Sequence, residues 1–354
     1  MKSLRLLIPI FSIFFLISGI VQAEQWYSET DLKYKRNSPM LFKKFSIANK
    51  LIDQYSTEKR ETNLEVPWKI LVEIIEEDSN FAPAYVQLAR ISAKKGISRS
   101  KRGLDYISHF LDKSLSIEPK FAEAHTYYAS VYNIRKDFKL MRFHLEKAES
   151  IGTNSPWLDI NFGRLFMREG HPEKAIKLFE KTILRTDISN RTKYYPNAEL
   201  KNYYKSISNS KRALSYADEI TKLDPSSAYS WGNAAMILLY DMGEVDKAIK
   251  YLIKARKLYS YKMANRALAV AYYSKWAELK SKAPQLANEY YQKGYELQSN
   301  IRRITDEITP HPVLAKTLVA LGEKHNIKVA PMTYFQPENY KGIKANKSEK
   351  GKNN

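Results

Sequence analysis

The chain has 354 residues, no cysteine and a formal net charge of +20, with 58 Lys and Arg against 38 Asp and Glu. The lack of cysteine excludes a disulfide framework, a thiol nucleophile and lipid attachment through an N-terminal cysteine. A surface this basic favours anionic partners, such as acidic protein faces, acidic polysaccharide or lipid head groups.

Residues 1–23 have the pattern of a secretory signal peptide. Lys2 and Arg5 precede an uncharged apolar run, and Val21-Gln22-Ala23 supplies the small residues that surround a cleavage site. We therefore expect a mature chain that begins at Glu24 and lies in the periplasm or is secreted. An uncleaved membrane anchor is the alternative, because the uncharged stretch just reaches the ~18 residues of a spanning helix. No later segment predicts a membrane span, and an exported chain meets little nucleic acid, so we expect neither an integral segment after cleavage nor a nucleic-acid partner.

Residues 24–79 predict a lead-in followed by an atypical helical repeat. Residues 24–36 are polar and lack apolar periodicity, so we expect them to be irregular. Apolar residues then recur at helical spacing over 39–55 and 67–77. A terminal repeat differs from inner ones because one of its faces meets water.

Residues 80–299 contain a pair of residues, four positions apart on an apolar helix face, that recurs along the chain. The first residue of the pair is typically small and the second is typically bulky. The pairs are Ile107/Leu111, Met141/Leu145, Ala175/Phe179, Ala213/Ala217, Ala248/Leu252 and Ala287/Tyr291. Their recurrence near every 34 residues is typical of stacked helix–turn–helix units, which present a long surface to a partner.

The residues within these units resemble the tetratricopeptide repeat (TPR) family. Phe162-Gly163-Phe166 followed by Ala175 and Phe179 is the cleanest unit. Trp231-Ala234-Ala235 opens another strong unit, with one extra residue between its helices. The resemblance implies an all-α, right-handed solenoid of about six units that acts as a non-catalytic interaction surface. An unrelated helical bundle with Ala-rich faces is the alternative.

Residues 300–335 predict a C-terminal capping helix, formed by 313–324 after Pro310 and Pro312. Residues 336–354 are rich in Lys, Asn, Gly and Glu without apolar periodicity, and we expect a disordered basic tail.

No motif supports enzyme chemistry, so we expect no enzyme activity, cofactor or metal. Ser98 and Lys101 have the S-x-x-K spacing of serine acyl-enzymes, but the partner motifs of that chemistry are missing. His109, His125 and His144 do not form a known metal-binding motif.

A stretch from Lys247 to Ala277 lacks Asp and Glu, and its lysines and arginines alternate with aromatic residues. Such a strip suits anionic chains, since charge attracts them and rings stack on apolar sugar faces. In the alternative interpretation, Tyr251 and Tyr272 are core residues of the repeat and the lysines only solubilise the surface.

The TPR resemblance places the first helix of each unit on the concave side, and the family's offsets predict a basic and aromatic lining. The predicted lining comprises Arg90, Lys94, Asn133, Trp157, Arg164, Arg168, Tyr195, Asn202, Lys205, Arg266 and Tyr273. The candidate partner-binding residues from both surfaces are Arg164, Arg168, Lys205, Lys254, Arg266 and Tyr273. The sequence thus predicts an envelope scaffold for an extended acidic protein partner or, alternatively, a protein that binds anionic polysaccharide during its export.

Overall fold

The computed structural model describes residues 27–55 and 63–305. For residues 298–305 it describes the backbone only. Within these ranges the regular structure is helical. The α-helices are α1 Glu29–Asn37, α2 Pro39–Gln54, α3 Glu65–Glu77, α4 Ala82–Lys94, α5 Lys101–Ile117, α6 Ala122–Arg135, α7 Phe138–Ile151, α8 Pro156–Arg168, α9 Pro172–Leu184, α10 Asn190–Ser206, α11 Ser210–Leu223, α12 Ala228–Met236, α13 Val245–Leu258, α14 Lys262–Leu279 and α15 Pro284–Thr305. The predicted signal peptide at 1–23, the predicted capping helix at 313–324 and the predicted disordered tail at 336–354 lie outside the described residues.

The helices pack in consecutive pairs that form a solenoid, as the sequence predicts. An atypical pair, α2 with α3, precedes six units: α4 with α5, α6 with α7, α8 with α9, α10 with α11, α12 with α13, and α14 with α15. The first helices of units 1 to 4 also contact one another in series. These first helices therefore line the inner face of the curved array.

The predicted residue pairs lie at the helix crossings within the units. In unit 3, Ala175 and Phe179 are both 0 % exposed. Gly163 lets α8 approach α9 closely, because a Cβ added there would lie 2.5 Å from a ring carbon of Phe179. Small residues at the crossing thus let the backbones approach, and the large side chain of the neighbouring helix fills the remaining space.

The extra residue in unit 5 is absorbed inside its first helix. A π-helical segment, Ile237–Met242, follows α12 directly and ends at Gly243, whose φ is 72°. A π-turn holds one more residue than an α-turn. Leu238 and Leu239 consequently remain buried despite the insertion.

The expectation of an irregular lead-in is wrong, because residues 29–37 form α1. Ser28 Oγ accepts a hydrogen bond from the Asp31 amide (2.9 Å), and Asp31 Oδ2 accepts one from the Ser28 amide (3.0 Å). This capping box satisfies the first-turn amides. Tyr34 then anchors the helix, with its ring 4.8 Å from that of Phe81. The capping box and the aromatic contact therefore stabilise α1, which has no apolar stripe of the kind that packs a longer helix against its neighbours.

The C-terminal end of the array runs past its predicted boundary, since α15 continues to Thr305, beyond Ser299. Among the helices described, none combines the length and the apolar character needed to cross a membrane.

Candidate binding cleft on the inner face

Side chains from four helices meet on the inner face of units 1 to 4, and we call this group the inner cleft. It consists of Asp53 from α2, Arg90 and Lys94 from α4, Tyr127 from α6, and Arg191 and Tyr195 from α10. All six side chains are partly buried. The curvature of the array thus brings residues about one hundred positions apart in sequence within electrostatic range of one another.

Arg90 lies at the base of the inner cleft. Its guanidinium donates a hydrogen bond to Asp53 in an ion pair, and its side chain is only 16 % exposed. The phenol groups of Tyr127 and Tyr195 lie within electrostatic range of Arg90. Burial raises the pKa of Tyr127 to about 12, so this ring is neutral near pH 7.

Lys94 is held in a setting that disfavours its charged form. Burial, and then the positive charges of Arg90 and Arg191, lower the pKa of the Lys94 ammonium to about 7, while Asp53 acts in the opposite direction. The Nζ atom lies 5.8 Å from the centre of the Tyr55 ring.

Arg191 belongs to the cleft because α10 begins at Asn190, about one turn before the position at which the TPR pattern predicts the start of this helix. Ser189 caps this helix, its Oγ accepting from the Thr192 amide at 3.2 Å. The Nε atom of Arg191 is buried and has no hydrogen-bond partner among the described residues. The cleft therefore joins three cationic side chains, Arg90, Lys94 and Arg191, to the single carboxylate of Asp53.

A second carboxyl group borders the cleft from α6. The side chain of Glu123 accepts a hydrogen bond from Thr153 (3.0 Å), and its charge reaches Tyr127. Burial, and then the charge of Asp31, raise the pKa of Glu123 to about 7. Much of its negative charge is thus lost near neutral pH, which leaves the cations of the cleft in excess.

Arg164 extends the inner face toward unit 4. Its Nε donates to Glu199 at 2.7 Å, and its guanidinium lies 5.9 Å from the centre of the Tyr195 ring. The rings of Trp157 and Tyr195 meet edge to face at 4.9 Å. This part of the surface combines a cation with two aromatic rings.

The other candidate residues lie at several places. Arg168 is exposed one turn beyond Arg164 on α8, and Lys205 on α10 lies 3.7 Å from Asp241. Lys254 belongs to a second helix, α13, with its Nζ 3.6 Å from the centre of the Trp231 ring. Arg266 on α14 is partly buried, and its Nε has no hydrogen-bond partner among the described residues. Only Arg164, Arg168 and Lys205 lie on neighbouring first helices.

The prediction that Tyr273 contributes to a binding surface is wrong. Its side chain is 0 % exposed and packs beside Gly294, where an added Cβ would lie 2.9 Å from its ring. Tyr272 and Lys275 are also buried, and Lys275 pairs with Asp246 and Glu278. The long helix α15 covers this side of α14. The acid-free stretch therefore contributes much of its aromatic content to the core, as the alternative interpretation held for Tyr272.

The sequence reasoning missed Asp53, Tyr127 and Arg191. Tyr127 lies two positions after the residue that opens the TPR pattern of its unit. The predicted lining includes no residue from this position of any unit. The equivalent residues in units 3 and 4 are Asn161 and Glu199, which contact Arg164 from either side. Including this offset would have found Tyr127. Asp53 belongs to the atypical pair, so no family offset applies to it.

Two histidines from unit 2 come together away from the cleft. His125 Nδ1 and His144 Nδ1 lie 3.0 Å apart, and the His144 ring stacks on Tyr128 at 4.6 Å. Across the described part of the chain, no group of three or more His, Asp and Glu could hold a metal ion.

No protein-family profile and no curated protein sequence matches the chain. Among solved structures, one from the Cut9–Hcn1 hetero-tetramer of the APC/C is similar at 17% identity with a TM-score of 0.51, over 68% of this chain and 48% of that one. YrrB, described as a TPR protein with an unusual peptide-binding site, shares 22% identity over 56% of this chain and 96% of its own, with a TM-score of 0.36. PilF of Pseudomonas aeruginosa shares 16% identity over 69% of this chain and 96% of its own, with a TM-score of 0.48.

The fold is a TPR-type helical solenoid, as the sequence pattern predicts. At these identities the likeness concerns the fold alone, and this chain spans about half of the Cut9–Hcn1 chain that it matches.

Proposed function

We propose that this protein is a non-catalytic interaction scaffold of the bacterial cell envelope, which binds an extended acidic protein segment along the inner face of units 1 to 4. The observation that carries the proposal is the charge of the inner cleft, where Arg90, Lys94 and Arg191 face one another with Asp53 as their paired carboxylate. An acidic segment would supply the missing negative charge and replace solvent around these cations.

The binding surface extends beyond the cleft. Arg164 and Arg168 follow on α8, and Lys205 follows on α10. A segment of several residues is needed to reach from Lys94 to Lys205, which favours an extended chain over a compact ligand. The aromatic pair Trp157 and Tyr195 lies between these cations and provides apolar contact area.

The proposed envelope location rests on the signal-peptide pattern of residues 1–23. The scaffold role rests on the solenoid, since stacked helical units present long concave surfaces.

An anionic polysaccharide is the second candidate partner, in a role in envelope polysaccharide export. The edge-to-face pair of Trp157 and Tyr195 beside Arg164 favours it, because aromatic rings stack on the apolar faces of sugars while the cation attracts a carboxylate.

Binding of a fluorescent, end-blocked hexaglutamate peptide to the full mature chain tests the proposal, with oligogalacturonate as a competing ligand. Arg168→Glu should weaken peptide binding about tenfold or more at low salt, because Arg168 is exposed on the inner face and forms no ion pair with another described residue. Arg102→Glu makes the same change of charge on α5, a second helix, and should change affinity less than twofold. Equal losses of affinity in Arg168→Glu and Arg102→Glu would mean that the peptide is attracted by the net charge of the protein, and would refute a specific binding site on the inner face. Tight binding of oligogalacturonate alone would favour the polysaccharide.

A further inference from the structure

Three basic side chains lie near one another at the Lys94 end of the inner cleft. Arg90 and Lys94 approach it from α4, and Arg191 approaches from α10, three units further along the chain. Asp53 already pairs with Arg90. The Nε atom of Arg191 is buried and has no hydrogen-bond partner among the described residues, so this guanidinium is not fully satisfied by the protein.

We propose that this end of the cleft binds one carboxylate group of the acidic partner, and that Lys94 takes up a proton as the carboxylate binds. The inference rests on the proposed function and specifies the chemistry of the same site. A carboxylate fits because Arg191 can donate hydrogen bonds to it and Lys94 can add a third donor once it is protonated.

The proton uptake follows from the charges around Lys94. Without a ligand, burial and the charges of Arg90 and Arg191 keep the pKa of Lys94 at about 7, against the opposing effect of Asp53. A bound carboxylate adds a negative charge, which favours the ammonium and raises the pKa of Lys94 toward its ordinary value of 10.5. At pH 8, roughly one tenth of the free protein carries the ammonium, so binding should take up about 0.9 proton. The affinity should therefore fall up to about tenfold per pH unit between pH 7.5 and 9.

The other groups that face Lys94 do not account for such a change. Arg90 and Arg191 stay charged throughout this range, and the Asp53 carboxylate is the paired partner of Arg90. Tyr55 is the nearest ring, and Tyr127 titrates at about 12. Glu123 borders the cleft and titrates near 7, so Glu123→Gln serves to remove its contribution.

Isothermal titration calorimetry with end-blocked hexaglutamate measures the proton uptake. Titrations at pH 8 in HEPES and in Tris, whose ionisation enthalpies differ, give the number of protons from the difference in apparent enthalpy. The full mature chain and Glu123→Gln should both take up nearly one proton. Lys94→Arg, which is always charged, should bind without uptake and without the fall in affinity above pH 7.5. Lys94→Met should bind at least tenfold more weakly at pH 6.5, whereas the exposed control Lys113→Met should match the parent.

Four results would overturn the inference. Tight binding by the parent without proton uptake would refute it while leaving the proposed function intact. A Lys94 side chain that titrates above pH 9.5 in the ligand-free protein, measured by NMR of its labelled side chain, would also refute it independently of any ligand. Proton uptake with oligogalacturonate but no binding of hexaglutamate would reject a peptide as the occupant. Failure of hexaglutamate to bind even at pH 6.5 would refute the proposed function, and with it the inference.

Discussion

Gly163 offers the sharpest test of the packing within a unit. It lies in the middle of α8, where a Cβ would come within 2.5 Å of Cε1 and 2.8 Å of Cζ of Phe179. Phe179 is 0 % exposed, so its ring has no open space into which to turn. Ordinary carbon–carbon contacts are about 3.5–4.0 Å, and Gly163→Ala thus requires the two helices to separate by roughly 1 Å.

The expected cost is the difference between two opposing effects. In an exposed helix interior, Gly→Ala stabilises by about 1 kcal/mol. Overpacking a core costs about 1–3 kcal/mol, and the short distances at Gly163 place it near the upper end. Gly163→Ala should therefore destabilise the protein by about 2 kcal/mol. Phe179→Leu removes the ring atoms that clash, at a cost of its own of about 1–2 kcal/mol for the lost contacts.

Urea unfolding followed by circular dichroism at 222 nm measures both single variants and the double variant. The double variant should be more stable than the sum of the two single changes predicts, by 1 kcal/mol or more, because the shorter side chain makes room for the methyl group. Additive effects, or a stabilising Gly163→Ala, would show that α8 and α9 do not meet closely at this point.

Two further substitutions and one measurement on the parent protein test other parts of the molecule. Ala175→Asp places an unpaired charge at a fully buried helix crossing and should lower the free energy of unfolding by several kcal/mol. A melting temperature within a degree or two of the parent's would show that Ala175 does not lie at such a crossing. Lys275→Met should change the free energy of unfolding by less than about 1 kcal/mol, because the ion-pair partners Asp246 and Glu278 are largely exposed; a larger loss in chemical denaturation would mean that the pair is a major source of stability. Mass spectrometry of the purified protein should find a mature terminus at Glu24, and an intact Met1 in the membrane fraction would favour the uncleaved anchor.

The array could be predicted from the sequence because each unit encodes its own crossing. Ala175 and Phe179 lie one helical turn apart and are both fully buried, so a local pattern reports the packing directly. The same reasoning fails for Tyr273, whose family offset predicts the inner face. At this position α15 packs along α14, and Tyr273 is completely buried.

The inner cleft could be predicted only in part. Arg90 and Lys94 follow from the family offsets, since α4 has the usual length. Arg191 depends on the early start of α10 at a Ser189 cap, and Asp53 depends on how the atypical pair packs against unit 1. The electrostatic effect of Arg191 on Lys94 depends on the accumulated curvature of three units. No local pattern reports that quantity, because small rotations between successive units add up over the array.

The histidine pair in unit 2 makes a final prediction about acid stability. The His144 ring stacks against both Tyr128 and Tyr132, and its Nδ1 lies 3.0 Å from that of His125. Burial, followed by the charge of His125, lowers the pKa of His144 from 6.5 to about 4, while Asp112 opposes the shift. Burial also lowers the pKa of His125, as does the charge of Lys147, while a hydrogen bond that the His125 ring donates to the Pro119 carbonyl opposes the shift. Only one ring can donate the shared hydrogen to the other when both are neutral, and two protonated rings would repel.

The sign of the effect follows from proton binding. Between pH 4 and 6.5 the unfolded chain binds more protons at His144 than the folded chain does, so the free energy of unfolding falls as the pH drops through this range. Above pH 6.5 the contribution of His144 is fully present and constant. The pKa shift sets an upper limit of about 3 kcal/mol on the loss, at 1.36 kcal/mol per pH unit.

His144→Gln, which cannot titrate, should flatten the pH dependence of urea unfolding between pH 4 and 6.5, while His109→Gln at an exposed position should leave it unchanged. If His144→Gln and the parent lose stability in parallel over that range, the pair does not stay neutral in the folded protein, because a buried neutral His144 must be protonated on unfolding.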